Sequence, residues 1–295
     1  MKLTDFDAWS RTELDAVERA LERWVPTDAP AGLGQAMRYG VLDGGKRVRP
    51  LLVLAAAQAV HGNEEAALRS ACAVELIHAY SLVHDDMPCM DNDVLRRGKP
   101  TVHVQYGQAQ AMLAGDAMQA LAFEVLTPPE GVPPALQARL CSLLARAAGH
   151  AGMAGGQAID LVSIGQPLDE RTLRDMHHRK TGALLQASVL MGAACGRTTP
   201  AAWQALAEYG DAIGLAFQVV DDILDVTQES ETLGKTAGKD AHDNKPTYVT
   251  VLGLEAARSH AADLRDAALA ALARSGLAEA AWLSLLADKI VEREN

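Results

Sequence analysis

At 295 residues the chain is long enough to bury a sizeable core, and its 49% hydrophobic content, with only 4% aromatics, favours packed helices over sheets. A net charge of −11 argues against a nucleic-acid surface, so an anionic ligand needs local basic pockets or metal ions. Cys72, Cys89, Cys141 and Cys195 show neither CxxC nor zinc-finger spacing and read as free thiols of a reducing, cytoplasmic protein.

In chain order, a period of three to four residues predicts helices over Arg11–Trp24, Arg49–Val60, Ala66–Met87, Gln108–Leu126, Leu136–Ala148, Thr172–Cys195, Ala201–Val226, Leu252–Ser275 and Leu277–Arg293. Segments such as "HGN" at 61–63, "TPPEGVPP" at 127–134 and "GRTTP" at 196–200 punctuate them. No alternating strand stands out, and the proline-rich stretches are short enough to be helix connections within one domain, 1–295. The acidic, amphipathic N-terminus is unlike a signal peptide. No uninterrupted apolar run approaches the roughly 20 residues of a membrane span, so stable membrane insertion is not expected. Between two apolar helices, Gln228–Pro246 is polar, glycine-containing and lysine-bearing, and reads as a flap over a site.

Two apolar runs end in acid. In "GLAFQVVDDILDV", Asp225 can share a helix face with Asp221 and Asp222, with Gln218 one turn earlier. In "SLVHDDMPCMDNDVLRRGKPTVH", Asp91 follows Asp85 by six residues, a step that points it well away on an unbroken helix. Pro88 must end or bulge the helix, returning Asp91 to the cavity of Asp85 and Asp86. Like charges so placed need a compensating cation. Oxygen-only donors, open on one side, suit Mg²⁺ bridged to phosphates; the glycine-hinged pattern of a calcium loop is missing.

Cations stand close by. "GGKRVRP" supplies Lys46, Arg47 and Arg49 just before an apolar helix, a ready anion site. Arg96 and Arg97 follow the first acidic cluster, Lys180 and Thr181 lie in "HHRKTGALLQ", and the flap adds Lys235, Lys239 and Lys245. His78 precedes Asp85 by two helical turns on one face. Charged heads above apolar helices describe a slot for a prenyl diphosphate.

These motifs, with "GGQAIDL" and "LGKTAGKD…NKPTY", resemble the trans-prenyl diphosphate synthases over about residues 40–250, nearest the bacterial farnesyl diphosphate synthases (geranyltranstransferases). The resemblance implies an all-α fold, antiparallel helices around a central cavity (the isoprenoid synthase type I fold), as a homodimer. It implies that Asp85, Asp86 and Asp91, with Asp221, Asp222 and Asp225, hold three Mg²⁺ on the allylic diphosphate. Arg96, Lys180, Thr181, Gln218 and Lys235 would contact that diphosphate, with Lys239 and Lys245 as further candidates. Gly45, Lys46, Arg49, His78 and Arg97 would form the isopentenyl diphosphate pocket. Ionisation of the allylic C–O bond, attack by the double bond of isopentenyl diphosphate and loss of a proton to the released diphosphate complete the implied reaction.

Tyr80 lies five residues before Asp85, roughly 7.5 Å further down the helix. With Ser81 it is the expected chain-length determinant, and in the family a bulky residue there, with the two-residue insertion in the first motif, accompanies the fifteen-carbon product. Val94 stands where many relatives carry another acid, and "VEREN" offers no clear basic C-terminal end. A geranylgeranyl or other short-chain synthase is the alternative. A class I terpene cyclase needs no second diphosphate pocket, and a non-catalytic partner subunit could dispense with the acids.

Overall fold

The computed structural model describes residues 3–42, 44–166, 168–227 and 247–293. Its helices are α1 (Leu3–Trp24), α2 (Leu33–Val41), α3 (Val48–Ala59), α4 (Glu64–Asp85), α5 (Val102–Tyr106), α6 (Gln108–Leu126), α7 (Pro134–Ala148), α8 (Met153–Val162), α9 (Glu170–His177), α10 (Ala183–Ala194), α11 (Pro200–Thr227), α12 (Tyr248–Leu252), α13 (Leu254–Ser275) and α14 (Ala281–Val291). The expected all-α architecture holds, and the helices pack as an antiparallel bundle around a cavity.

At the centre runs α4. Asn63 caps it by accepting the Ala66 N–H at 2.8 Å, and Glu64 and Glu65 in the first turn complement its dipole. Between Ala66 and Val83 its buried residues cover more than one face, because α3, α6 and α10 all pack against it. By length and hydropathy α4 alone among the described helices could span a bilayer, contrary to the expectation from the sequence. Since 67% of its apolar window is buried in the protein, its apolarity is that of a core helix.

Four local departures from the expected elements have simple causes. A two-residue antiparallel ladder pairs Leu95–Arg96 with Lys99–Pro100, too short to leave an alternating pattern. One π-helical turn, His178–Gly182, interrupts the helix expected over Thr172–Cys195 and carries Lys180 and Thr181. The expected Leu252–Ser275 helix breaks at Gly253, whose φ of 84° suits glycine. Finally, α8 escapes the periodicity search because Gly155 and Gly156 lower its helix propensity. Gly156 is needed there: a Cβ would lie 2.2 Å from the Lys180 backbone nitrogen.

Candidate active site

A cavity of about 650 Å³ opens among α3, α4, α8, α9, the π turn and α11. From α4 it receives His78, Tyr80, Ser81, His84 and Asp85. The two-turn spacing of His78 and Asp85 does put both side chains on one wall. Helix α4 ends at Asp85 and the chain doubles back, so that the Asp91 N–H donates to the Asp85 carbonyl at 2.8 Å. Asp91 thereby rejoins the cavity, as Pro88 led us to expect.

Asp86 does not line this cavity. Adjacent helical residues diverge by about 100°, so Asp86 points towards the small hairpin while Asp85 faces the cavity. There Arg96 grips both its oxygens, at 2.6–3.0 Å, and only 2% of Asp86 is exposed. Two residues expected at the diphosphate therefore bind each other, although Arg96 also reaches the cavity wall.

The opposite wall is α11. Asp222 accepts the Gln218 amide on one oxygen at 2.8 Å and the Tyr248 backbone N–H on the other at 2.7 Å. Gln218 in turn accepts the Thr181 hydroxyl at 2.8 Å, which fixes the orientation of the three side chains. Asp221 also lines the cavity, and its Oδ1 receives Arg293 at 2.6 Å. Asp225, one turn on, is buried at 4% exposure and lies outside the cavity lining. Here the expected co-facial trio resolves into two cavity acids and one buried acid.

Cations face these acids. Lys180 forms a 2.6 Å ion pair with Asp160 of α8, while Arg49, Arg96 and Arg97 line the α3, α4 and hairpin side. Arg97 donates to the Gly44 carbonyl and lies over Gly45, where φ is 128° and a Cβ would sit 2.6 Å from the guanidinium. Gly45 and the exposed Lys46 flank the cavity instead of lining it, and Arg47 turns inward. Burial, helped by Arg49, Arg97, Arg96 and Arg47, keeps His78 well below the usual histidine range, hence neutral. Lys235, Lys239 and Lys245 lie outside the described residues.

Three contributors escaped the sequence reading. Asp160, inside the quoted "GGQAIDL", holds Lys180, and only its spacing on an unrecognised helix could have shown it. His177, 5% exposed and held near pKa 4 mainly by burial, lines the cavity and stacks on Tyr248 at 5.5 Å. Arg293 supplies the basic C-terminal end that "VEREN" did not announce: besides Asp221 it bonds the Phe217 carbonyl at 2.6 Å and lies 3.9 Å over the Phe217 ring. A pair 72 residues apart leaves no spacing signal.

Oxygen donors of Asp85, Asp91, Asp221 and Asp222 thus face one cavity, with neither cysteine nor preformed imidazole ligation. Burial, with Asp91 and Asp86 nearby, pushes the Asp85 carboxyl up to about 6, although Lys180 opposes it. That acid is suited to a hard dication. Among the described residues no three acids or imidazoles converge tightly enough to hold an ion alone, so ligand oxygens must complete any coordination. Replacing Arg293 by Ala removes a competitor for Asp221. Half-saturation by MgCl₂, titrated calorimetrically with inorganic pyrophosphate present, should fall about two- to fivefold, the range of a half-exposed ion pair.

Acid on two walls, cations on a third and an apolar slot below define a site for polyanionic substrates with greasy tails. The chain belongs to the polyprenyl synthetase family, the trans-prenyl diphosphate synthases, whose pattern it matches over residues 30–280. It is 48% identical over 282 residues to a chloroplastic geranylgeranyl pyrophosphate synthase of Capsicum annuum, covering 95% of this chain and 76% of that one. An FPP/GFPP synthase structure from Zymomonas mobilis superposes with a TM-score of 0.88 at 42% identity, over 98% of this chain and 99% of that one. A Helicobacter pylori geranyltransferase, solved with magnesium and isoprenyl diphosphate, gives 0.84 at 34% identity, over 96% and 95%.

Proposed function

We propose that this chain, as one catalytic domain, joins isopentenyl diphosphate to dimethylallyl and then geranyl diphosphate, giving farnesyl diphosphate. The observation that carries this reading is the facing of Asp85 and Asp91 by Asp221 and Asp222 across a cavity whose α4 wall continues down to Tyr80. Asp85, Asp91, Asp221 and Asp222 are positioned to hold magnesium against an allylic diphosphate. Asp86 and Asp225 join them only if Arg96 and the end of α11 shift. The family resemblance implies three such ions, with water completing the octahedral shells. Bound Mg²⁺ supplies positive charge to the departing diphosphate oxygens.

The protein's own groups do the rest. Lys180 and Arg96 add charge where the allylic C–O bond breaks and its electron pair leaves with oxygen. Thr181 and Gln218, held by the hydrogen bond between them, present polar groups to the allylic diphosphate. Arg49 and Arg97 hold the isopentenyl diphosphate, with neutral His78 as a hydrogen-bonding partner that adds no charge. Its double bond then attacks the cation, and the proton lost goes to the released diphosphate. Apolar walls such as Met153, Leu161, Met176 and Phe217 keep water from the cation.

The curated relatives support the second reading, a twenty-carbon product, better than the fifteen-carbon one: the pepper relative and its Arabidopsis thaliana counterparts are geranylgeranyl synthases. The pepper relative is chloroplastic, against the cytoplasmic location expected here, which fractionation of the source cells tests directly. Assembly as a homodimer belongs to the proposal, and the exposed Val104, Met112 and Leu113 offer it an apolar face. The deciding experiment incubates purified protein with MgCl₂, isopentenyl diphosphate and each allylic diphosphate, then resolves products by length. No pyrophosphate release with any of them would overturn the enzyme assignment; a twenty-carbon main product would select the second reading.

A further inference from the structure

Arg47 sits in the middle of "GGKRVRP" yet faces away from the cavity. It caps α3 with φ 45° and ψ 37°, a left-handed conformation that costs a long side chain about 1 kcal/mol or more. Three bonds hold it there. Its Nε donates to Glu18 of α1 at 2.7 Å, Nη1 to Glu75 of α4 at 2.5 Å, and Nη2 to the Val41 carbonyl at the end of α2 at 2.5 Å. The side chains of Arg47 and Glu75 are 2% and 3% exposed. A charge this deep is retained at a desolvation cost, and removing either partner leaves the other uncompensated.

The loop so anchored carries the cation pocket on its other side. Gly44 offers its carbonyl to Arg97, whose guanidinium lies over Gly45. Two residues beyond Arg47, Arg49 reaches the cavity, its Nε buried and without a hydrogen-bond partner in the protein. Glu75 therefore meets both arginines: it bonds Arg47, and its charge favours the ionised form of Arg49 against burial.

We propose that Arg47, clamped by Glu75 and Glu18, is a positioning residue for the isopentenyl diphosphate half of the site. It touches no substrate, but it fixes where Arg49 and Arg97 present their guanidinium groups. The inference rests on the proposed prenyl transfer, and the test separates the two.

Initial rates with each substrate varied in turn are measured for wild type, Arg47→Lys, Glu75→Gln, Glu75→Asp and the milder Glu18→Gln. KM for isopentenyl diphosphate rises about 10- to 100-fold in Arg47→Lys and Glu75→Gln, the range for losing a supporting group. KM for the allylic substrate and kcat stay within about twofold, the scatter expected of an untouched half-site, and Glu75→Asp restores part of the loss. Calorimetric titration of isopentenyl diphosphate without magnesium shows the same weakening independently of turnover. Because KM does not depend on the folded fraction, a loss of kcat with both KM values unchanged marks a merely structural pair and overturns the proposal. Equal rises in both KM values, or none, overturn it too. A wild type without turnover sinks the parent reading and this inference with it.

Discussion

Asp85→Asn lowers prenyl transfer by at least about 100-fold, the upper end for losing a mere supporting group, while raising the melting temperature of the metal-free protein. Both effects come from one cause. The Asp85 carboxyl is buried at the end of α4 beside Asp91 and Asp86, and its pKa is pushed up to about 6. Between pH 4 and 6 the folded chain thus holds a proton that the unfolded chain has lost. Stability falls as pH rises through that window, and above it the whole penalty is present. Holding the carboxyl at about 6 instead of in the usual carboxylate range corresponds to roughly 3 kcal/mol, set against a total domain stability of about 5–15 kcal/mol. The amide cannot ionise, so it escapes this cost and also loses its strength as a donor to a dication. Melting curves in EDTA at pH 4 and pH 7 check this: the advantage of Asp85→Asn grows with pH. A variant that melts lower at pH 7, or keeps its turnover, removes Asp85 from the proposed role.

The same acid shows how much the sequence could reveal. Carboxylates that end apolar helices are improbable without a partner, so their type and spacing pointed to the cavity, and Pro88 was enough to foretell the return of Asp91. Spacing along a helix fixes faces only within that helix. It could not tell that Asp86 would turn towards Arg96 on the hairpin, that Arg47 would turn inward to Glu18 and Glu75, or that Asp225 would be buried outside the cavity lining. These outcomes are decided by partners 10 to 29 residues away, or by packing after the helices meet. Arg293 is the extreme case, joined to Asp221 only because α14 lies against α11. Helix α8 was hidden for the opposite reason: its two glycines weaken the local signal, and one of them, Gly156, serves a contact with the π turn.

Tyr80→Ala should lengthen the product from fifteen carbons to twenty. Tyr80 stands on the cavity wall just over a turn below Asp85, its ring edge-on to His84 at 5.7 Å. His84 in turn contacts the Met112 carbonyl at 3.0 Å, so α6 backs the ring and keeps it from swinging aside. A growing tail that follows the wall meets this ring after about three isoprene units, given a rise of roughly 7.5 Å from Asp85 and a chain that enters above it. Trimming the ring to a methyl opens the slot to five more carbons, whose burial is worth up to about 4 kcal/mol. That is enough to favour another condensation over release by two to three orders of magnitude if the space is fully used. Partial filling gives less, so at least a tenfold rise in the twenty- to fifteen-carbon ratio is expected, read by chromatography of the dephosphorylated alcohols. If wild type already releases twenty carbons and Tyr80→Ala leaves that distribution unchanged, the floor lies elsewhere and the longer-chain relatives are the better guide.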